Sequence, residues 1–100
     1  MVVGSTNVVE LSGLRDKLTN TYPTTATVTL GLVDATGTPV TGATAISMTL
    51  VSGTTGAATL YRGTIAASIA LTAQTYVATV TAAYSGSTRL FTISCPAVLA

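Results

Sequence analysis

The stretch Gln74–Tyr84, QTYVATVTAAY, is the longest run of regular alternation in the chain. Its even-numbered residues from Tyr76 to Tyr84 are all aromatic or aliphatic, whereas its odd-numbered residues include Thr79 and Thr81. Successive side chains of an extended chain point to opposite faces, so a period of two predicts a β-strand with one face in the core.

Shorter runs with the same period lie before and after this strand. Turns rich in Gly, Pro, Asn and Asp separate them at intervals of roughly ten residues, the spacing typical of antiparallel sandwiches. We therefore predict an all-β fold in which about six or seven strands form an antiparallel two-sheet sandwich. The further predicted strands are Val8–Leu11, Thr25–Val33, Ala45–Val51, Thr59–Ile65 and Thr88–Ser94, with Ala66–Leu71 less regular.

Charge is scarce in this chain. It has four Lys or Arg, three Asp or Glu and no histidine, whereas ordinary domains are about a quarter charged. Proton-transfer chemistry needs side chains of tunable pKa, so we expect no enzyme. With Cys95 as the single cysteine and no histidine, we also expect no internal disulfide, no metal and no other cofactor. A surface this neutral is typical of a protein that its partners cover.

Two classes of partner are disfavoured by the same composition. The net charge of +1 comes without a basic patch, so we expect no binding to nucleic acid. The N-terminal sequence MVVGSTNVVEL has neither a basic leader nor a long apolar run. We therefore expect no export signal and no membrane partner.

The first 23 residues differ from the rest, and we predict a boundary there: residues 1–23 form an arm or extra strand, and residues 24–100 form the sandwich domain. Four of the seven charged residues fall within Glu10–Lys17. Either this segment is an extra strand with a solvated turn, or it is an arm that binds a neighbouring subunit. The predicted partner-binding residues are Val8, Val9, Glu10, Leu11, Leu14, Arg15, Asp16, Lys17, Arg62 and Arg89.

A short helix is the alternative for part of this segment. Leu11, Leu14 and Leu18 recur at helical spacing after a possible cap at Ser12. Gly13 weakens that prediction because glycine disfavours helix interiors.

Two other sets of side chains have both a functional and a structural interpretation. Asp34 could act with another carboxylate as in a glycosidase, but it begins a turn, where a bond to the local backbone is the expected role. The four tyrosines could form a sugar-binding platform. Tyr76 and Tyr84 share a strand face with Val80 and alanines, so we expect core or corner packing instead.

Two stretches carry a family resemblance. Val33–Ile46, VDATGTPVTGATAI, resembles the turn and following strand of bacterial immunoglobulin-like domains of the invasin group. Leu71–Ala78, LTAQTYVA, is similar to the tyrosine corner of Greek-key sandwiches, with Tyr76 as the corner tyrosine. The chain has no tryptophan and a single cysteine, so it resembles the bacterial and viral immunoglobulin-like class and not antibody domains.

As a whole, the chain resembles the small immunoglobulin-like virion proteins of tailed bacteriophages. The similarity lies in its length and in the order of Leu14, Asp16 and Leu18 before the turn Asp34–Gly37. It implies a capsid decoration or cement subunit, or a head, neck or tail junction component. Such a subunit is made in the host cytoplasm, binds other virion proteins and is homo-oligomeric or lattice-bound. The alternative is an immunoglobulin-like binding or spacer module of a bacterial adhesin, or a carbohydrate-binding accessory domain.

Overall fold

The chain is all-β. In a computed structural model, which describes residues 1–15 and 21–99, six strands pair antiparallel in one curled sheet. Apart from one 3-10 turn at Gly56–Ala58, the described regular structure is extended. The strands are β1 Asn7–Ser12, β2 Thr27–Val33, β3 Ile46–Leu50, β4 Leu60–Ile65, β5 Thr75–Tyr84 and β6 Ser87–Pro96.

The sheet has the order β1-β4-β3-β2-β5-β6, which makes β1 and β6 its outermost strands. The hairpin that joins β5 to β6 turns at Ser85 and Gly86, whose φ angles of 51° and 81° are both positive. Two consecutive positive φ angles are the signature of a type I′ turn, whose twist matches that of the flanking strands. The hairpin therefore pairs without offset from Tyr84 with Ser87 to Thr75 with Pro96.

Strand β3 joins the two halves of the sheet. It pairs with a different strand along each half of its length. Its first half pairs with β2, with Met48 opposite Val28. Its second half pairs with β4, with Leu50 opposite Tyr61. The structure thus has one continuous curled sheet, because one strand continues the ladder from one half to the other. Alternation within strands carries no information on such a change of partner.

The alternation that predicted the strands also identifies the core. Every second residue of β2, β4 and β5 is buried, and in β5 the buried residues from Tyr76 to Ala82 lie on the face that the sequence predicts to be inward. At Gly63, a Cβ atom would lie 2.9 Å from Met48 Cγ and 3.4 Å from Leu30 Cδ2, so β4 lies directly against side chains of β2 and β3. The core residues of these three strands are Val28, Leu30, Leu32, Tyr61, Ile65, Tyr76, Ala78, Val80 and Ala82.

The N-terminal segment joins the same sheet. All six residues of β1 pair with β4, from Asn7 opposite Ile65 to Ser12 opposite Leu60. Leu11 and Ser12 are therefore extended and not helical, while Leu18, Asp16 and Lys17 lie outside the described residues. The proposed division at residue 23 stays a prediction.

The two ends of the chain also meet. Val2 forms a parallel bridge with Val98, in which Val3 N donates to Val98 O at 2.9 Å and Val98 N donates to Met1 O at 2.9 Å. The terminal ammonium of Met1 donates to Pro96 O at 2.6 Å. The start of the chain thus pairs with the extension of β6, and the two edges of the curled sheet approach each other at this end.

Candidate partner-binding site

Two of the predicted partner-binding residues bind each other. The ladder between β1 and β4 places Glu10 opposite Arg62, and Arg62 donates from Nε at 3.0 Å and from Nη2 at 2.8 Å to Glu10 Oε2. Both side chains are nearly half exposed. An exposed cross-strand pair of this kind stabilises by about 0.2–1 kcal/mol. Arg62 therefore helps to fix the register of β1 within its own chain.

The apolar candidates divide between core and surface because β1 alternates. Val9 faces inward, and it is buried together with Leu14 in the core cluster. Val8 faces outward and is 52 % exposed. Leu11 is half-buried and packs against the edge of the core. Of this set, Val8 and part of Leu11 are available to a partner.

Arg15 and Arg89, far apart in the sequence, line the same shallow pocket. Its cavity volume is about 170 Å³, and it lies between the end of β1 and the start of β6. Leu11, Leu14 and Phe91 supply its apolar lining. We call this pocket, together with the facing edges of β1 and β6, the edge groove.

The edge groove combines two guanidinium groups with an apolar floor. Among the described residues, the ion pair given by the structure joins Glu10 and Arg62, so neither Arg15 nor Arg89 has a described carboxylate partner. Two like charges beside one pocket favour the binding of an anion there. Guanidinium groups bind carboxylates and phosphates through paired N–H donors.

Asp34 is engaged in its own turn. Its Oδ1 accepts from Thr36 N at 2.9 Å, from Thr36 Oγ1 at 2.6 Å and from Thr38 N at 3.0 Å. These bonds, led by that from the Thr36 hydroxyl, hold the pKa of Asp34 below its ordinary value of 3.8. The carboxylate therefore has the local structural role that the turn sequence predicts.

Two of the four tyrosines are core residues whose hydroxyls bind backbone. Tyr76 Oη accepts from Thr72 N at 2.8 Å, the bond back to preceding backbone that the LTAQTYVA sequence predicts. Tyr61 Oη donates to Pro23 O at 2.8 Å and accepts from Ala26 N at 3.2 Å, which ties the segment before β2 to β4. Sequence reasoning considered Tyr61 only as one of the four tyrosines of a sugar-binding platform, since nothing in its neighbourhood marks a contact across 38 residues.

The outer face of β2, β5 and β6 is uncharged. The pairing places Thr29 opposite Thr81, and Thr79 opposite Thr92, with their side chains on the side away from the core. We call this surface the threonine face. Its residues are Thr27, Thr29, Gly31, Val33, Val77, Thr79, Thr81, Ala83, Thr88, Leu90, Thr92 and Ser94.

Several apolar side chains of β6 and of the residues after it are exposed. Leu90 is 68 % exposed and Leu99 is 73 % exposed, with Ile93 and Val98 between them. Leu90 lies opposite Thr81 on the outer face of the sheet, whereas Ile93 lies opposite buried Ala78 on the inner face, so these side chains do not form one continuous patch. The sequence alternation predicted the strand, but it did not reveal that β6 would be an edge.

Comparison with known proteins gave no match, whether the chain was compared with protein-family models, with curated proteins or with solved structures. Over residues 1–15 and 21–99, the structure contains no group of three or more His, Cys, Asp or Glu that could hold a metal ion. No helix in that part of the chain is long and apolar enough to cross a membrane.

Proposed function

We propose that this chain is a non-enzymatic structural subunit that attaches to neighbouring proteins of a larger assembly. The observation that carries the proposal is the threonine face, a surface across three strands without a charged side chain. Water can hydrogen-bond to the threonine hydroxyls of such a face. Because the face also has methyl groups and no charge, the free energy needed to remove this water when a partner binds is small. Exposed Leu90 adds apolar area at its margin.

The assembly proposed is the virion of a tailed bacteriophage. The chain would be a capsid decoration or cement subunit, or a junction component of the head, neck or tail, as its resemblance to small virion proteins implies. On a symmetric shell, each copy repeats the same contacts, so a modest interface suffices for stable attachment. A buried area of about 800 Å² per partner is the usual size of a stable interface.

We further propose that the curled sheet is an immunoglobulin-like sandwich. Three observations support this assignment. β3 passes from the layer of β2, β5 and β6 to the layer of β1 and β4. A Cβ atom at Gly63 of β4 would lie 3.4 Å from Leu30 Cδ2 of β2, so two strands that do not pair with each other come into contact. Tyr76 makes the bond expected of a tyrosine corner.

Mass spectrometry of purified phage particles that encode this chain tests the function. We expect the chain in the particles at a fixed ratio to a shell protein. Thr79→Arg, which puts a charge in the middle of the threonine face, should reduce incorporation by about tenfold or more, since an unpaired charge is costly to bury in an interface. Thr64→Arg is the matched control, because Thr64 is an exposed strand residue of β4 away from that face.

Other outcomes separate the alternatives. Absence of the chain from particles contradicts the virion proposal. If it is also found as a well-behaved monomer outside the cell, the adhesin or carbohydrate-binding interpretation is favoured. Equal incorporation of both variants contradicts the role of the threonine face but not attachment itself.

A further inference from the structure

The free edge of β6 has backbone groups that no described strand pairs. Ala97 N donates to Gln74 O at 2.8 Å, which fixes which residues of β6 bond to β5. Hydrogen-bonded pairs alternate along an antiparallel ladder. The odd-numbered residues of β6 therefore bond to β5, and the even-numbered residues direct their N–H and C=O groups to the open edge. These outward residues are Thr88, Leu90, Thr92 and Ser94.

The chain itself pairs with the continuation of this edge. Pro96 O accepts from the Met1 ammonium, and both backbone groups of Val98 bond to residues 1 and 3. These even-numbered positions have the same parity as the outward residues of β6. Residues 1–3 thus already pair with the extension of β6 at Pro96 and Val98. The outward groups of Thr88–Ser94 continue the same row of backbone donors and acceptors.

The pocket of the edge groove lies beside the part of β6 that no described strand pairs. Arg89 and Phe91 of β6 line its pocket from one side, and Leu11 and Arg15 line it from the other. Side chains of an added strand alternate between the two faces of the sheet, so those on the face of Arg89 and Phe91 would point toward the side of this pocket. The pocket offers those side chains two guanidinium groups and an apolar floor.

A second copy of the described residues has no free carboxylate for these arginines. Glu10 is paired with Arg62, and Asp34 is bonded within its turn. The third carboxylate of the chain, Asp16, lies outside the described residues. Over the residues that the structure describes, charge complementarity therefore favours a different protein as the occupant.

We propose that the open edge of β6 binds an extended segment of a partner protein by strand addition. The segment carries acidic and apolar side chains in alternation on the face that meets the edge groove. Backbone bonds to Thr88–Ser94 supply affinity, and Arg15 and Arg89 select the acidic side chains. This inference specifies the kind of partner segment that the proposed attachment would use, and it rests on that proposed function.

Titration of the isotope-labelled chain with a synthetic peptide tests the proposal. The peptide has eight residues, capped ends, threonine on one face and alternating glutamate and leucine on the other. We expect amide shifts confined to β6 and the edge groove, with a Kd below about 1 mM. The same peptide with glutamine in place of glutamate should bind about tenfold more weakly, because the charge-assisted bonds are lost.

Three variants of the chain separate the contributions. Arg89→Gln should weaken binding about fivefold to tenfold, whereas the matched control Arg62→Gln, on β4, should change it less than about twofold. Thr92→Pro removes an outward N–H and should abolish binding, and proline is tolerated on an edge strand. If Thr92→Pro does not fold, the peptide can be N-methylated at every second residue instead. When the methylated residues are those whose N–H groups would donate to β6, we expect no binding.

Several results would overturn the proposal. The glutamate peptide could fail to bind, or the glutamine peptide could bind as tightly as the glutamate peptide. The amide shifts could also be centred on residues away from β6. Dimerisation of the chain that Thr92→Pro removes would assign the edge to a second copy instead. Because the titration uses the purified chain, its failure leaves the particle experiment on the threonine face unaffected.

Discussion

Strands β5 and β6 have the same length and pair with each other over ten residues, yet their burial differs completely. β5 lies between β2 and β6 and buries every second residue from Tyr76 to Ala82. No residue of β6 is fully buried, although Phe91 and Cys95 are half-buried against the core. The same hairpin therefore provides one strand for the core and one strand with a free edge.

The largest expected difference between these strands is their response to a buried charge. Val80 of β5 is fully buried, and Val80→Asp places a carboxylate among apolar core side chains. An unpaired buried charge costs several kcal/mol, comparable to the whole stability of about 5–15 kcal/mol of a small domain. We expect loss of the folded state, measured by circular dichroism and thermal unfolding.

The matched change in β6 is Thr92→Asp, at an exposed position of the neighbouring strand. We expect a change in the free energy of unfolding of about 0.5 kcal/mol or less, as for other surface substitutions. Comparable destabilisation by both variants would contradict the contrast between an interior and an edge strand.

A smaller effect is expected where β5 begins. Tyr76→Phe removes the hydroxyl that accepts from Thr72 N and leaves that amide without its partner. We expect a loss of about 1–3 kcal/mol in the free energy of unfolding, measured by chemical denaturation. Tyr84→Phe, at the half-buried end of the same strand, is the control and should be nearly neutral. Equal losses in the two variants would mean that the corner bond contributes nothing specific.

The other edge strand, β1, depends on weaker polar contacts. A double-mutant cycle with Glu10→Gln and Arg62→Gln should give a coupling of about 0.2–1 kcal/mol, because both side chains are exposed. The coupling should fall as salt is raised from low to high concentration. A coupling that is large and independent of salt would show that this edge is held more tightly than its exposure implies.

The smallest effect concerns the turn that follows the interior strand β2. Its hydrogen bonds lower the pKa of Asp34 in the folded state, so they stabilise the fold above the unfolded pKa. This contribution is lost as the pH falls through the folded pKa, below the ordinary value of 3.8. The difference in Tm between the natural chain and Asp34→Ala should therefore be present at neutral pH and shrink toward pH 2. A difference that is the same at both pH values would contradict the ionised hydrogen-bonded state.

Much of the local structure was predictable because alternation records which face of a strand is buried. The run that became β5 buries the predicted inward face, and the turn at Asp34 and the bond of Tyr76 follow from short sequence patterns. The helical spacing of Leu11 and Leu14 was misleading. Leu11 pairs in the extended strand β1, and Leu14, which follows the end of that strand, is buried in the core.

The candidate site was only partly predictable. Sequence reasoning selected Arg15, Arg62 and Arg89 because they are rare charges on a neutral chain. Their separate roles depend on contacts between distant residues. Arg62 meets Glu10 through a strand register that spans 52 residues, while Arg15 and Arg89 meet where two sheet edges approach.

The sequence by itself determined that this protein is built of strands, which side chains of those strands form the core, and that its surface is nearly free of charge. These properties depend on the order of neighbouring side chains. Only the tertiary structure decided that β3 joins the two halves, that β1 and β6 are the outermost strands of the described sheet, and that Arg15 and Arg89 line one pocket between them. Strand order and edge exposure depend on pairing between distant segments, and alternation along one strand is the same whichever neighbour it pairs with.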